Sequence, residues 1–541
     1  MPLFLLSFVH FGFQSADPLV LAERIRNRIE NRAFSAYADP IFSVVVLPRF
    51  YQNRHYQPAW VDANGPRPLL QDLLSALDAL YQEGLRPEDY HRDTLEELLQ
   101  IWSNQGRFSG DKTGLLVDMD LLASDGFLMA GAHLLAGRID PETIENEWNA
   151  NRRDADLAEI LEQALVSANL SESLQNLLPA YEGYNRLKTA LSRLQSLPDP
   201  GPWVELQDPA ALKPGQSNPN VLILRKRLAL DGFDQDMDSS VYDETLLAAV
   251  KQFQLRHGLD PDGVIGKETR NALNISRQDR IRQLKANMER WRWLPQDLGK
   301  RYILVNIAGF DLELVVEGEQ RLTSPVIVGR DYRQTPVFSG VMTYLVLNPR
   351  WNVPPKLAVE DKLPILKKDP QSLKKLGFKA YKGWGADSVE VDLVEIDWKA
   401  YSGRNFPYRL EQLPGDQNAL GQIKFMFPNP YNVYLHDTPT RELFQKTERA
   451  FSSGCIRVGK PIELAIQLLD GDPAWSRASL EQVFAGGKER TVNLASPINV
   501  HLLYWTVWVD SEGELQWRKD IYGRDKRLID ALDAYAPSGA P

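Results

Sequence analysis

The chain has 541 residues, enough for roughly three or four domains. Apolar residues make up 43% and charged residues 25%, a balance that excludes a disordered or fibrous protein. A formal net charge of −10 excludes nucleic acid as the main partner, because no basic surplus is available to neutralise phosphates.

Residues 1–16 have the flavour of an export signal. Leu3, Phe4, Leu5, Leu6, Phe8, Val9, Phe11 and Phe13 form an apolar run before Ser15 and Ala16, but no Lys or Arg precedes Arg24. The pattern reads as the tail of a signal peptide, with a buried terminal strand or helix as the plain alternative. The run is too short to span a bilayer, and no later stretch reaches ~20 apolar residues. A mature protein with no stable membrane span is expected.

Residues 17–200 read as a helical scaffold domain. Leu70, Leu73, Leu74, Leu77, Leu80 and Tyr81 recur at helical spacing, with Gly84 and Pro87 as stops. Further amphipathic runs cover Leu115–Leu135, Leu157–Leu165 and Tyr184–Leu194, and Leu197-Pro-Asp-Pro-Gly-Pro202 reads as a linker.

Residues 213–275 predict three short helices. Val221, Leu224 and Leu228 form one stripe, closed by Gly232. Asp243 is an N-cap for a helix carrying Leu246, Ala249, Val250 and Phe253, closed by Gly258. Leu224-Arg-Lys-Arg-Leu228, Ala249-Val-Lys-Gln-Phe-Gln254, His257-Gly-Leu259 and Asp262-Gly-Val-Ile-Gly266 through Thr269 resemble the peptidoglycan-binding domain 1 family. That resemblance implies a three-helix wall-binding module. A linker helix is expected over 276–298.

From Arg301 the period changes to two. Tyr302–Ile307, Leu312–Val316, Pro325–Gly329, Val341–Leu347, Asn432–Leu435 and Val500–Val509 predict strands, and Pro461 predicts the first position of a helix. The region 299–485 is the β-rich catalytic candidate, with 486–541 packing back on it. Residues 350–425 separate two strands, an insertion long enough to act as a lid.

Cys455 is the single cysteine and therefore cannot form an intrachain disulfide. It lies in Phe451-Ser-Ser-Gly-Cys-Ile-Arg-Val458, where Gly454 permits close backbone approach and Arg457 supplies positive charge. This context suits a reactive thiol better than a packed one, and a thiol attacks acyl carbon well only as thiolate. Of seven histidines, His436 in Tyr434-Leu-His-Asp-Thr-Pro439 stands where a strand gives way to a turn, and is the natural base. His501 is a rival within a strand. A packed, hydrogen-bonded imidazole is the plain alternative for both.

His436 followed by Ser452-Ser-Gly-Cys-Ile-Arg457 resembles the L,D-transpeptidase (YkuD-type) catalytic domain, whose signature is His, a gap, then Ser-His-Gly-Cys-x-Arg. Ser453 departs from that signature where many members carry a second histidine. The YcbB-like branch tolerates this serine, and its chain order of leader, helical domain, peptidoglycan-binding domain and capped catalytic domain is similar. Phe50–Trp60, Gly84–Tyr90, Leu134–Arg138, Asn348–Trp351, Phe427–Asn429 and Asp520–Asp525 extend the resemblance.

The resemblance implies a multidomain α+β fold and a cysteine acyltransferase without cofactor or metal. Cys455 would be the nucleophile and His436 its base, with a backbone carbonyl orienting the imidazole. The N–H groups of Gly454 and Cys455 are candidates for the oxyanion hole. Ser453 is placed with the substrate-binding residues. Arg457 either meets a substrate carboxylate or forms a structural salt bridge, and Trp351 and Tyr434 either line the cleft or belong to the core.

Peptidoglycan stem peptides and glycan are the implied partners, in a periplasm, with other wall-synthesis enzymes able to dock on the helical domain. A second stem, water or a lipoprotein lysine could each resolve the acyl-enzyme; the 3→3 cross-link is the favoured product. A zinc peptidase would want a pair such as His-x-x-x-His, which is absent. A non-catalytic wall-binding scaffold remains the reading from another class.

Overall fold

Apolar periodicity organises the amino-terminal part into helices. The computed structural model describes residues 17–535 except 105–109, 145–152, 199–202, 208–211, 234–235, 384 and 471. The leader expected over residues 1–16, and the expected linker from residue 199 onward, lie outside the described residues.

Helix Leu69–Asp78 buries Leu70, Leu73, Leu74 and Leu77 on one face. Helix Lys112–Ala136 is buried almost all round and forms the centre of this part. Two carboxylates interrupt its apolar surface. Asp120 accepts from the N–H groups of Ala59, Trp60 and Val61 and from the Tyr51 hydroxyl. Asp125 accepts from the N–H of Ser43 and lies 2.8 Å from His91 Nε2. Buried carboxylates persist where their lone pairs meet donors, so these two clamp the segment 42–61 onto the helix.

Helices Asn220–Leu230, Glu244–Arg256 and Lys267–Asn274 form the next unit around Val221, Leu224, Leu228, Val250 and Phe253. Asp243 caps the middle helix, accepting from the Leu246 N–H at 2.8 Å. The expected linker helix, observed as Arg277–Arg292, is a buried strut. Its Leu284, Met288 and Trp291 belong to the same core as the β-rich domain, and Trp291 stacks on Trp505 at 4.2 Å between centroids.

Nine strands build the main sheet: β1 Arg301–Asn306, β2 Asp311–Val316, β3 Glu319–Gly329, β4 Phe338–Leu347, β5 Ile423–Met426, β6 Leu435–His436, β7 Ala450–Ser452, β8 Ile456–Val458 and β9 Arg490–Leu503. Their spatial order is β7-β3-β8-β6-β5-β4-β9-β1-β2. The long strand β3 also pairs with β2 through its first half, so eight strands close on one another, with β7 outside.

Three expectations are corrected. The stretch from 486 does more than pack back, because β9 lies inside the sheet between β4 and β1. The single strand expected over Val500–Val509 is broken: β9 ends at Leu503, and Val507–Val509 starts a separate hairpin. Side chains take the backbone donors at the break, with Asn306 accepting from Trp505 N–H and Asn287 from Thr506 N–H. The strand expected over Asn432–Leu435 begins only at Leu435, because Asn432 has φ 55° and the Asn429 side chain holds Val433 through both its N–H and its carbonyl.

The insertion is a folded unit and not a bare loop. Its four-stranded antiparallel sheet runs in the order Val389–Val391, Phe378–Lys382, Tyr408–Gln412, Trp351–Asn352. It has its own core, including Leu363, Leu366, Phe378, Trp398 and Leu410. The fold class is the one the sequence implies: a helical scaffold, a three-helix module and a β-rich domain carrying an insertion.

Candidate active site

Strands β6 and β8 run parallel with Leu435 opposite Ile456 and His436 opposite Arg457. The pairing continues one residue back, where the Ile456 N–H donates to the Tyr434 carbonyl at 3.1 Å. Side chains alternate along a strand, so Tyr434, His436, Cys455 and Arg457 share one face. On the other side of β6, Lys424 of β5 pairs with His436 and joins that face.

His436 is buried, and its Nδ1 lies 2.5 Å from the Asp437 carbonyl oxygen. A carbonyl only accepts, so Nδ1 carries the proton and Nε2 keeps its lone pair. Burial, followed by the charge of Arg457, pushes the imidazole down to about 3, so it is neutral at ordinary pH.

Cys455 is half-buried and free. Burial pushes its thiol up, while Tyr434 and the charges of Lys424 and Arg457 pull it down. Its Sγ lies 3.8 Å from the Asn432 carbonyl oxygen, to which it donates weakly. The fold therefore sets Cys455 and His436 on one face of neighbouring strands without joining them by a hydrogen bond.

Gly454 has φ 113°, a conformation that strains any residue with a Cβ. Its N–H, expected in the oxyanion hole, already donates to Ser452 Oγ at 3.2 Å. Among the described residues the Cys455 N–H has no such partner. Ser452 closes this turn by donating to the Cys455 carbonyl at 2.5 Å, while Thr335 Oγ1 donates to the Gly454 carbonyl at 2.9 Å.

Ser453 points outward and accepts from Arg333 Nη1 at 2.9 Å. Arg457 donates to Thr440 Oγ1 at 3.1 Å, and its Nε is buried with no partner. No ion pair to Arg457 exists among the described residues, so the salt-bridge alternative is not what the fold provides. Lys424 sits 4.0 Å from the Tyr434 ring centroid and has no ion pair among the described residues. The hydroxyl of Tyr434 faces Cys455 and the indole of Trp351. Trp351 thus reaches the site from the first strand of the insertion. Lys424 and Arg457 are the cations whose charges act on the Cys455 thiol.

His501 is elsewhere. Its Nδ1 bonds Ser339 Oγ at 2.8 Å and its Nε2 bonds the Leu298 carbonyl at 3.0 Å, so both nitrogens are engaged in the packing of β9. No group of three or more metal-ligating side chains exists among the described residues, and no helix among them is long and apolar enough to cross a membrane. Sequence reasoning quoted Ser452 within the motif without giving it a role, and missed Lys424, Asn432 and Arg333. Of these, only Lys424 left a signal, a cation inside the apolar alternation Ile423-Lys-Phe425.

Residues 300–475 match the family model described as the L,D-transpeptidase catalytic domain, residues 217–273 that described as "Putative peptidoglycan binding domain", and residues 46–191 that described as a scaffold domain. A Haemophilus influenzae protein described as "Putative L,D-transpeptidase" is 37% identical over 254 residues, covering 47% of this chain and 50% of the relative. The chain thus spans about half the length of that relative. Among solved structures, an L,D-transpeptidase from Xylanimonas cellulosilytica is 15% identical, covering 55% of this chain and 100% of its own, with a TM-score of 0.16. One from Stackebrandtia nassauensis is 13% identical, covering 56% and 97%, with a TM-score of 0.21. Superpositions this partial add nothing to the sequence matches. It is those matches that identify the chain as one carrying a YkuD-family L,D-transpeptidase catalytic domain, joined to a peptidoglycan-binding module and a scaffold domain.

Proposed function

We propose that the protein is a cysteine L,D-transpeptidase that forms 3→3 cross-links between peptidoglycan stems, outside the cytoplasm in a periplasm. The observation that carries this reading is the placing of His436 on β6 beside Cys455, the residue that leads into the parallel strand β8, within a domain matched to that family.

Rotation of the Cys455 side chain away from the Asn432 carbonyl brings the thiol to His436 Nε2, which takes its proton. The thiolate attacks the carbonyl of the third stem residue, and the Cys455 N–H stabilises the oxyanion. Collapse breaks the peptide bond to the terminal D-alanine, whose amine leaves with the proton held on the imidazole. The thioester is then attacked by the side-chain amine of a diamino acid on a second stem. His436 accepts that amine's proton and returns it to the departing thiolate, which closes the cycle.

Arg457 and Lys424 bind the carboxylate of the donor stem. An anion beside Arg457 also offsets the charge that depresses His436, so substrate binding makes the imidazole more basic.

The test is intact-protein mass spectrometry with a carbapenem, followed by a tetrapeptide-stem muropeptide. A covalent adduct lost in Cys455→Ala, with D-alanine release and a cross-linked dimer, is expected. D-alanine release without dimer would make water the acceptor, and a lipoprotein-lysine product would make the protein an anchoring enzyme. An inert protein would return the assignment to a wall-binding scaffold.

A further inference from the structure

A cleft of about 600 Å³ lies between the three-helix module and the catalytic domain. One wall is the loop from Gly258 to Gly266 and the first turn of helix Lys267–Asn274. The other is the β1–β2 turn, the segment 446–451 and residues 518–521. The walls are fixed to each other. Thr447 donates to the Asp260 carboxylate across the cleft, and Arg518 Nη1 donates to the Arg256 carbonyl at 3.0 Å. Gly258, at φ 61°, packs so closely under Arg518 that a Cβ would stand 2.6 Å from its Cδ.

The lining chemistry selects a class of ligand. Four lysine or arginine side chains are matched by four aspartates or glutamates, so the cleft has no net preference for an anion or a cation. Lys267, Glu268 and Lys446 are exposed and carry hydrogen-bonding groups, while Phe451 is half-buried and offers an aromatic face. A neutral polymer rich in hydroxyl and amide groups, with apolar ring faces, fits such a surface.

The position relative to Cys455 adds a second constraint. Phe451 belongs to β7, the strand outside the closed circuit, and precedes Cys455 by four residues. Four residues of extended chain span at most about 14 Å, and a three-residue peptide spans about 10 Å. A sugar seated beside Phe451 therefore lies no more than about 14 Å from Cys455, a distance on the scale of its own extended stem.

We propose that this cleft seats the glycan backbone, a neutral chain of N-acetylated amino sugars, of the strand whose stem is acylated onto Cys455. This rests on the transpeptidase reading above. The module then serves as one wall of an extended substrate site and not merely as a tether to the wall.

The test is a plug. Gly266 has an ordinary φ of −77°, and no heavy atom lies within 4 Å of where its Cβ would be. Gly266→Trp therefore fills the cleft without straining the backbone. Peptide-free glycan oligomers are titrated calorimetrically into the full chain carrying Cys455→Ala, with and without the plug. Turnover is measured on glycan-linked tetrapeptide stems and on the free tetrapeptide. The plug is expected to weaken glycan binding and raise KM for glycan-linked stems about tenfold, equivalent to about 1.4 kcal/mol, with free-tetrapeptide turnover and carbapenem adduct formation unchanged. Lys446→Trp, on the opposite wall, gives the same result and covers a folding failure of the first variant. Unchanged glycan binding and KM in folded plug variants overturn the proposal. A wild-type protein inert toward tetrapeptide and carbapenem defeats the transpeptidase reading instead, while plug-sensitive glycan binding upholds the cleft on its own.

Discussion

Arg333 Nη1 stands 2.9 Å from Ser453 Oγ and 2.8 Å from Asp361 Oδ2, so one guanidinium bridges the insertion and the loop that carries Cys455. Its Nη2 completes a bidentate pair with Asp361 and reaches Glu360 at 2.6 Å. These acids lie on a π-helical turn, Ala358–Lys362, a distortion that recurs at functional sites. Arg333 is 10% exposed as a side chain and its partners 36–46%, so water screens the pair only in part.

Arg333→Ala is expected to release the insertion and the Ser453 turn together. The rate of carbapenem adduct formation falls about tenfold, equivalent to about 1.4 kcal/mol, and the insertion becomes sensitive to limited proteolysis. Unchanged acylation and proteolysis would show that the bridge does not position the loop.

Cys455→Ala removes one small, half-buried side chain. Adduct formation and D-alanine release are expected to vanish, while the melting temperature stays within a few degrees because little apolar surface is lost. Residual turnover at the wild-type rate would assign the chemistry to another group.

The buried neutral state of His436 makes a pH prediction. Its folded value of about 3 lies below the ordinary 6.5, so the unfolded chain binds more protons between those values. Stability then falls as pH drops below 6.5. Between pH 6.5 and 5 this one group accounts for about 2 kcal/mol. His133 and His501 are lowered in the same direction by burial, whereas His91, held up to about 9 by Asp125 and Asp39 against the effect of burial, acts oppositely. Urea titrations of wild type and His436→Gln at both pH values isolate the term, and the variant should lose less stability on acidification. Parallel losses in the two proteins would refute the buried-neutral assignment.

Arg457→Gln keeps a polar, hydrogen-bonding side chain but removes the charge. KM for stem peptides should rise roughly 10–100-fold, the range for a lost hydrogen bond to a charged group of about 1.5–3 kcal/mol. His436 should also titrate higher, because Arg457 is the second cause of its depression after burial. NMR of the imidazole checks the second effect, which a purely structural arginine would not produce.

Asn287→Ala tests the joint between the buried strut and the break after β9. The asparagine accepts from Thr506 N–H at 2.9 Å and donates to Thr506 Oγ1 at 2.9 Å. Leaving those buried groups unpaired should cost about 1–3 kcal/mol in denaturant unfolding. An undiminished midpoint would mean that the break is held by other contacts.

The local patterns in the chain specified many of its elements. The leucine spacing of Leu70–Leu77, the cap at Asp243 and the alternation from Tyr302 each specify helix or strand through contacts a few residues apart, and the structure reproduces them. Cys455 and His436 stood out for a similar reason, since a lone thiol beside glycine and a histidine at a strand edge are local features. Three-dimensional pairing decided what those features do. Only the parallel register of β6 with β8 turns His436, Cys455 and Arg457 to one face, and only the pairing with β5 adds Lys424. The loss of Gly454 N–H to Ser452, the Arg333 bridge to Ser453 and the burial of helix Arg277–Arg292 are likewise side-chain or long-range contacts. Such contacts join distant residues, as between Asn287 and Thr506, 219 positions apart. Periodicity records which face of an element is apolar, but not which distant donor will meet a given lone pair. That choice is made when the chain closes, by the requirement that buried polar groups find partners.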